Sequence, residues 1–576
     1  MPSRGDMHFY DDWARQVLHG HITDHLAFYG LPGYAYLLAF LYKICGYNPF
    51  VPGLLQALVD AATATLIYKI SLRVFAPVSI RTGQMTGILA AGGWGLFVPA
   101  QTYAVVLMPT ALVVFVFWLI VWCIVGKDYA PQKIESLGLG TLIGITATFI
   151  ATPLFLIPLL IAAVLLKPTT KVTNTFRYRM ISLALLFIGV SVGTAPCWIH
   201  NYFVARDPVF LSAHSGINLW IGNNPAATGY PRFPPGLRAS QAAMLQDSIT
   251  AAESAAGHPL KRGEVSQFWS AKARDYVRHD FGGWLRLLAV KMRNFWNAFQ
   301  YDDLSVVTSL RENGVTFPGI YFGVIAALGL PALVIAWKMA PLSRWLSIAI
   351  LLHMLALLSV FTTERYRLPI VPGLLIFSAF GMVMLGQWLA NCRFMPALSY
   401  LTLLAGSAAF VSWPQRDPSL WALDVYNSGL QALDSGDLAA ARQRLDRAYA
   451  YSPFNAEITF AKGNLQLAAG DTTGARDLYR SALALNPHHT GALNNLGVLA
   501  LKENRWTLAA DFFRHALVQS PNDAKIYYLL ANAHLNSGDR ETALAEIATA
   551  IRLLPDQPEF RALQQQIQVP GQNDRN

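Results

Sequence analysis

The sequence predicts an all-α protein: a polytopic bundle of transmembrane helices followed by a helical-repeat solenoid. Three observations predict it. Hydrophobic residues make up 54% of the 576-residue chain and charged residues only 14%, far from the balance of a soluble domain. Apolar segments of about 20 residues, the length that carries a helix through about 30 Å of hydrocarbon, recur as far as Trp413. Beyond Pro414 the composition turns charged and alanine-rich, and a 34-residue period sets in.

The charge balance excludes one class of partner. Lys and Arg number 44 against 34 Asp and Glu, a net charge of +10, yet no basic stripe is interleaved with aromatics, so nucleic acid is not expected. The cations sit in short tethers between apolar runs, as the positive-inside rule places them. Cys45, Cys123, Cys197 and Cys392 lie in or beside apolar segments without the Cys/His spacing of a zinc site, and no disulfide framework is indicated. The opening MPSRGDMHFYDD is polar, so no cleavable signal peptide is expected and insertion relies on internal helices.

Residues 1–49 read as an outer loop with juxtamembrane helices, including an aromatic and apolar helix from Tyr34 to Cys45. Residues 50–199 hold the first transmembrane helices. Phe50 to Tyr68 is a single crossing, and Gly83 to Gly126 carries no charge over a length that fits two, with a turn signal at Pro99-Ala100-Gln101-Thr102. Leu137 to Leu166 is long for one span and short for two. Its flanks are basic on both sides, Lys127 and Lys133 before it and Lys167, Lys171, Arg177 and Arg179 after it, which makes it a hairpin with its tip near Thr152-Pro153. Met180 to Ile199 crosses next, and residues 200–315 form an extracytoplasmic loop. Thr316 to Trp337, Trp345 to Phe361, Leu368 to Cys392 and Phe394 to Trp413 complete the membrane part over residues 316–413, for about ten crossings. Asp60 is the only charge inside the single crossings; it either faces water or a partner or makes a buried polar contact.

In the C-terminal part Pro453, Pro487, Pro521 and Pro555 share one register with Gly429, Gly463, Gly497 and Ala531. Ala441, Ala475, Ala509 and Ala543 keep the same register, as do Ala448, Ala482, Ala516 and Ala550. Small residues let two antiparallel helices approach, and the proline ends each second helix. The pattern resembles four tetratricopeptide repeats over residues 424–560, with a polar tail at 561–576. That resemblance implies a concave face for a peptide or partner protein; a spacer or oligomerisation role stays open.

Chemistry points to the outer loops. The stretch Asp6-Met7-His8-Phe9-Tyr10-Asp11-Asp12-Trp13 carries a D-x-x-x-Y pattern, Asp6 with Tyr10. Pro196-Cys197-Trp198-Ile199-His200-Asn201-Tyr202 leaves a helix, followed by Gly216-Ile217-Asn218-Leu219-Trp220-Ile221-Gly222-Asn223-Asn224-Pro225. Glu364-Arg365-Tyr366-Arg367-Leu368-Pro369 opens a late helix. Together these resemble the outer-loop motifs of GT-C-type glycosyltransferases, including protein O-mannosyltransferases and aminoarabinose transferases. The resemblance implies a GT-C-like bundle in a bacterial inner (plasma) membrane with the repeats extracytoplasmic. It also implies sugar transfer from a polyprenyl-phosphate donor to a protein, lipid or glycan. Asp6 and Tyr10 are then the catalytic candidates. Arg365 and Arg367, with His200 and Lys291, are expected at the donor phosphate, and Gly222, Asn223 and Asn224 in a loop near the site. A carboxylate at the outer interface can take the acceptor proton, and arginine suits phosphate because its planar fork donates paired hydrogen bonds. No metal-ligand set stands out, and the loose acid clusters leave a divalent metal open.

The pattern also departs from that group. A transmembrane helix is expected ahead of Asp6, and Thr110, Thr152, His200 and Gln300 stand where relatives carry acids or arginines. An inactive or altered-substrate form therefore stays open, as does a non-catalytic membrane scaffold displaying the repeats. Each site residue has a plainer alternative. Asp6 serves equally as a helix cap, Arg365 and Arg367 as snorkelling anchors, and His200 and Lys291 as interface residues. Gly222-Asn223-Asn224 reads first as a turn, and Asp302 and Asp303, which could form a second acidic site, read first as solvated loop acids.

Overall fold

The computed structural model describes residues 5–169, 174–231, 241–304, 306–307, 319–415, 417–521, 523–555 and 557–568. It divides into two compact units, Met1–Gln415 and Arg416–Asn576. Among the described residues the named elements are all helical.

The first unit opens with α1 (Gly5–Leu18), α2 (Gly33–Cys45), α3 (Phe50–Phe75), α4 (Ile80–Gly95), α5 (Val98–Tyr103) and α6 (Thr110–Val125). Next come α7 (Lys133–Ala147), a 3-10 turn at Thr152–Leu156, α8 (Ile157–Leu166) and α9 (Thr175–Ile199), which ends in a π turn at His200–Val204. Four helices fill the following loop: α10 (Ser215–Gly222), α11 (Gln241–Ala256), α12 (Arg262–His279) and α13 (Phe281–Trp296). The unit closes with α14 (Phe322–Met339), α15 (Ser343–Ser359), the single turn α16 (Glu364–Arg367), α17 (Val371–Ala390) and α18 (Phe394–Val411). Local chemistry sets several starts. Asn174 caps α9 by accepting from the Arg177 amide at 2.9 Å, and Asp280 caps α13 through Gly283 at 2.8 Å, each satisfying an orphan donor of the first turn.

Among the described residues five helices are long and apolar enough to cross a membrane: Phe50–Phe75, Thr175–Val204, Phe322–Met339, Glu364–Ala390 and Phe394–Val411. The other apolar stretches are shorter. The expected hairpin from Gly83 to Gly126 is α4 and α6, and Pro99 to Thr102 is no tight turn but lies within α5, where Pro99 occupies a first-turn position that needs no amide. Leu137 to Leu166 does break at Thr152-Pro153. Trp345 to Phe361 is the 17-residue α15, and Thr316 to Pro318 of the expected span before it lie outside the described residues. Glu364–Ala390 forms the centre, with an unbroken buried run from Val371 to Gly381. The outer helices turn large apolar side chains outward instead, Phe187, Ile188 and Val192 on α9 and Leu398, Leu401 and Leu403 on α18.

The tightest pairing is α7 against α9, and glycine makes it. Gly140 and Gly144 face Gly189 and Gly193, each pair four residues apart. A Cβ on Gly140 would lie 2.1 Å from the Leu186 carbonyl oxygen, and one on Gly193 would lie 2.4 Å from that of Thr141. Two backbones in direct contact leave no room for a side chain.

The second unit is built from helix pairs: Pro418–Asp434 with Leu438–Tyr451, Ala456–Ala468 with Thr472–Leu485, Thr490–Lys502 with Trp506–Gln519, and Ala524–Ser537 with Arg540–Leu553. The eight alanines of the periodic classes at 441 and 448 onward are fully buried. A Cβ on Gly463 or Gly497 would fall 2.6 and 2.5 Å from the rings of Tyr479 and Phe513. The supposed tail contributes structure as far as Gln568: helix Pro558–Gln568 buries Phe560, Leu563 and Ile567 and covers the open face of the last pair.

Candidate functional site

Arg365 is the pivot of the first unit. Thr363 starts the single turn α16 by accepting from the Tyr366 amide at 3.4 Å, and the Glu364 amide donates to the Tyr301 carbonyl at 2.9 Å, which ties the turn to the loop after α13. Glu364 also contacts the Gln300 amide. The Arg365 side chain, 9% exposed, then reaches two carboxylates. Its Nη2 is 2.7 Å from Asp6 Oδ2, and its Nε is 2.8 Å from Asp303 Oδ2. Its guanidinium also lies 4.8 Å from the centre of the Tyr366 ring. Asp6 belongs to the first turn of α1, where the helix dipole favours an acid. Tyr10, one turn later, is buried against Tyr34, their rings meeting edge to face with centroids 5.3 Å apart. Burial, then the charge of Asp6, holds the Tyr10 hydroxyl well above its ordinary range. Burial also outweighs the pull of Arg365 on Asp303 and pushes that carboxyl up to about 6. A small cavity beside the cluster is lined by Thr110, Val113, Ile150, Thr152, Arg365, Tyr366 and Pro369.

Asp6, Tyr10 and Arg365 thus meet, although 359 residues separate the two ends of the ion pair. The other expected residues do not join them. Arg367 is turned away: it donates to the carbonyls of Phe295, Asn297 and Phe299 at 3.2, 2.8 and 3.0 Å and stacks on Phe322. Those bonds fasten the loop after α13, so its donors are already engaged. Lys291 is completely buried, donating to Asn223 Oδ1 and to the Leu358 carbonyl, both at 3.0 Å. Burial pushes its amine down to about 7. Gly222 and Asn223 form no left-handed turn. Asn223 has φ −137°, and Gly222 is required because a Cβ there would meet the Val360 carbonyl oxygen at 2.2 Å. Asn224 caps its own segment by accepting from the Ala226 amide at 2.9 Å. His200 lies in the π turn, 2.7 Å from Thr23 Oγ1 and stacked on Phe28.

Asp302, read first as a solvated acid, is buried and accepts from Tyr103 at 3.2 Å, and Asp303 is largely withdrawn from solvent, its side chain 12% exposed. The adjacent Tyr301-Asp302-Asp303 was the available signal, a pair of acids beside an aromatic at the edge of an apolar region. Among the described residues no three His, Cys, Asp or Glu side chains converge as a metal-binding group.

In the second unit, Asn464 Oδ1 accepts from both Tyr479 Oη and Asn495 Nδ2 at 2.9 Å, linking successive repeats. Two profiles described as tetratricopeptide repeat match this region, one at residues 426–490 and 460–524 and the other at 500–567. The C-terminal unit therefore consists of tetratricopeptide repeats, a domain type that generally binds protein partners. Comparison with curated proteins finds no match. Among solved structures the chain is similar to one described as a functional characterisation of Pseudomonas aeruginosa pilF, with 20% identity, covering 26% of this chain and 69% of that one at a TM-score of 0.25. It is also similar to MamA, from residue 41 to its end, of Desulfovibrio magneticus RS-1, with 22% identity, 27% and 85% coverage and a TM-score of 0.25. A third is YrrB, described as a TPR protein with an unusual peptide-binding site, with 18% identity, 32% and 89% coverage and a TM-score of 0.23.

Proposed function

We propose that the first unit lies in a membrane and transfers a sugar from a polyprenyl-phosphate donor to an acceptor on the extracytoplasmic face, the repeats holding the acceptor or a partner protein. The outward apolar side chains of α9 and α18 support the membrane setting, because soluble surfaces do not carry such faces. The observation that carries the reaction is the cluster in which Arg365 joins Asp6 and Asp303. It lies where the central apolar helix Glu364–Ala390 begins, the end of a span at which the membrane reading expects a lipid phosphate.

In a single displacement the acceptor oxygen or nitrogen attacks the anomeric carbon while the bond from that carbon to the phosphate oxygen breaks, inverting the configuration. Asp6 takes the acceptor proton, and Arg365 holds the departing polyprenyl phosphate. Donor phosphate and Asp6 compete for one guanidinium, so docking of the donor releases Asp6 from its ion pair and leaves its carboxylate facing the acceptor.

The test is sugar incorporation by membranes supplied with polyprenyl-phosphate sugars. Asp6→Asn should lower it by roughly 10²–10⁴-fold, the range for loss of a general base, and Arg365→Ala at least as far. Unchanged incorporation in both favours the second reading, a non-catalytic scaffold in which the two carboxylates simply neutralise a buried arginine.

A further inference from the structure

Among the described residues helix α13 leaves one face unpartnered. Its inner side packs Leu287, Lys291, Asn294 and Phe295 into the unit. Its outer side exposes Phe281, Leu285 and Met292, 57%, 47% and 45% accessible, in a line completed by Ala289. Those positions fall at i, i+4, i+8 and i+11, one stripe of an α-helix. Arg286 and Arg293 border the stripe; the helix contains no acidic residue, and neither arginine has an acidic partner among the described residues. The helix is also fixed at one end of the apolar bundle. Lys291 is bonded to Leu358, next to the end of α15, and just beyond the helix Asn297 and Ala298 bond the carbonyls of Trp413 and Val411 at the end of α18, at 2.7 and 2.8 Å.

We propose that α13 is a membrane-surface helix for an anionic lipid leaflet: its Phe281–Met292 stripe seats between headgroups and acyl chains while Arg286 and Arg293 reach lipid phosphates. The inference rests on the membrane reading of the first unit. The occupant follows from the surroundings. Apolar spans end where α13 is tethered, so its stripe continues their outward apolar surface, and the bordering cations match a negatively charged headgroup layer.

The test uses the full chain in vesicles, with Cys45, Cys123, Cys197 and Cys392 replaced by alanine and single spin labels at Phe281→Cys, Leu285→Cys or Met292→Cys. Collision with oxygen against a water-soluble nickel chelate reads depth. Labels at Leu403, outward on α18, and at Ser254, exposed on α11, mark lipid and water. The proposal expects all three α13 labels between those markers, with shallower readings when Arg286 and Arg293 are changed to Glu in phosphatidylglycerol-containing vesicles but not in phosphatidylcholine alone. Readings equal to Ser254 with Leu403 still in lipid overturn the proposal and spare the membrane reading, whereas protection from both reagents assigns the face to a protein. A Leu403 label in water sinks the membrane reading, and this proposal with it.

Discussion

Arg365 sits between two carboxylates of different character. Asp6 is bonded at a helix start, while Asp303 is largely withdrawn from solvent in the loop behind it and its carboxyl is pushed up to about 6. An acid with a raised folded pKa keeps its proton after the unfolded chain has lost its own. Stability therefore falls as pH climbs from about 4 to about 6, and the trend is flat above that. Asp303→Asn should flatten this fall; thermal unfolding of the detergent-solubilised chain at steps across that window checks it. The same residues show how much of the site the sequence carries. Asp6, Tyr10 and Arg365 could be named from motif spacing alone because each lies in a short local pattern. Asp303 could be named only as one of two loop acids, because its pairing with Arg365 exists only once the fold closes. Arg367 misled for a related reason: it is two residues from Arg365, yet in a helical turn that spacing sends the side chains to different sides.

At the scale of elements the α7–α9 contact depends on backbone meeting backbone. Gly193→Val would thrust a branched side chain at the Thr141 carbonyl, and overpacking of that kind costs typically 1–3 kcal/mol. Lowered thermal stability, with Gly138→Val as a harmless control at a position open to space, is the expected result. The spacing of these glycines was visible in the chain, but the partner of each pair was not, since sequence fixes one face of a helix and leaves its neighbour unnamed. The repeats were far more legible, because each unit repeats its own contacts at 34 residues. That register extends to the caps: Asp437, Asp471 and Asp539 each accept a backbone amide at the start of a second helix, while Arg505 at the equivalent place caps nothing with its side chain. Arg505→Asp should therefore stabilise the repeats by about 1 kcal/mol, measurable by denaturant unfolding.

For the whole molecule, an apolar unit holding a charged cluster at one end of its central helix is joined to an array of tetratricopeptide repeats. Composition misjudged lengths in both directions: the crossings expected at Phe50 to Tyr68 and Met180 to Ile199 lengthen to Phe50–Phe75 and Thr175–Val204, whereas the Gly83 to Gly126 stretch shortens to two 16-residue helices, the second starting only after Pro109. The proposed competition between Asp6 and a lipid phosphate for Arg365 can be tested by binding. A short-chain polyprenyl phosphate titrated into the purified full chain should bind more tightly to Asp6→Asn, which frees Nη2 of Arg365 while Asp303 still holds Nε, and more weakly to Arg365→Ala. Equal affinity in wild type and both variants would contradict it.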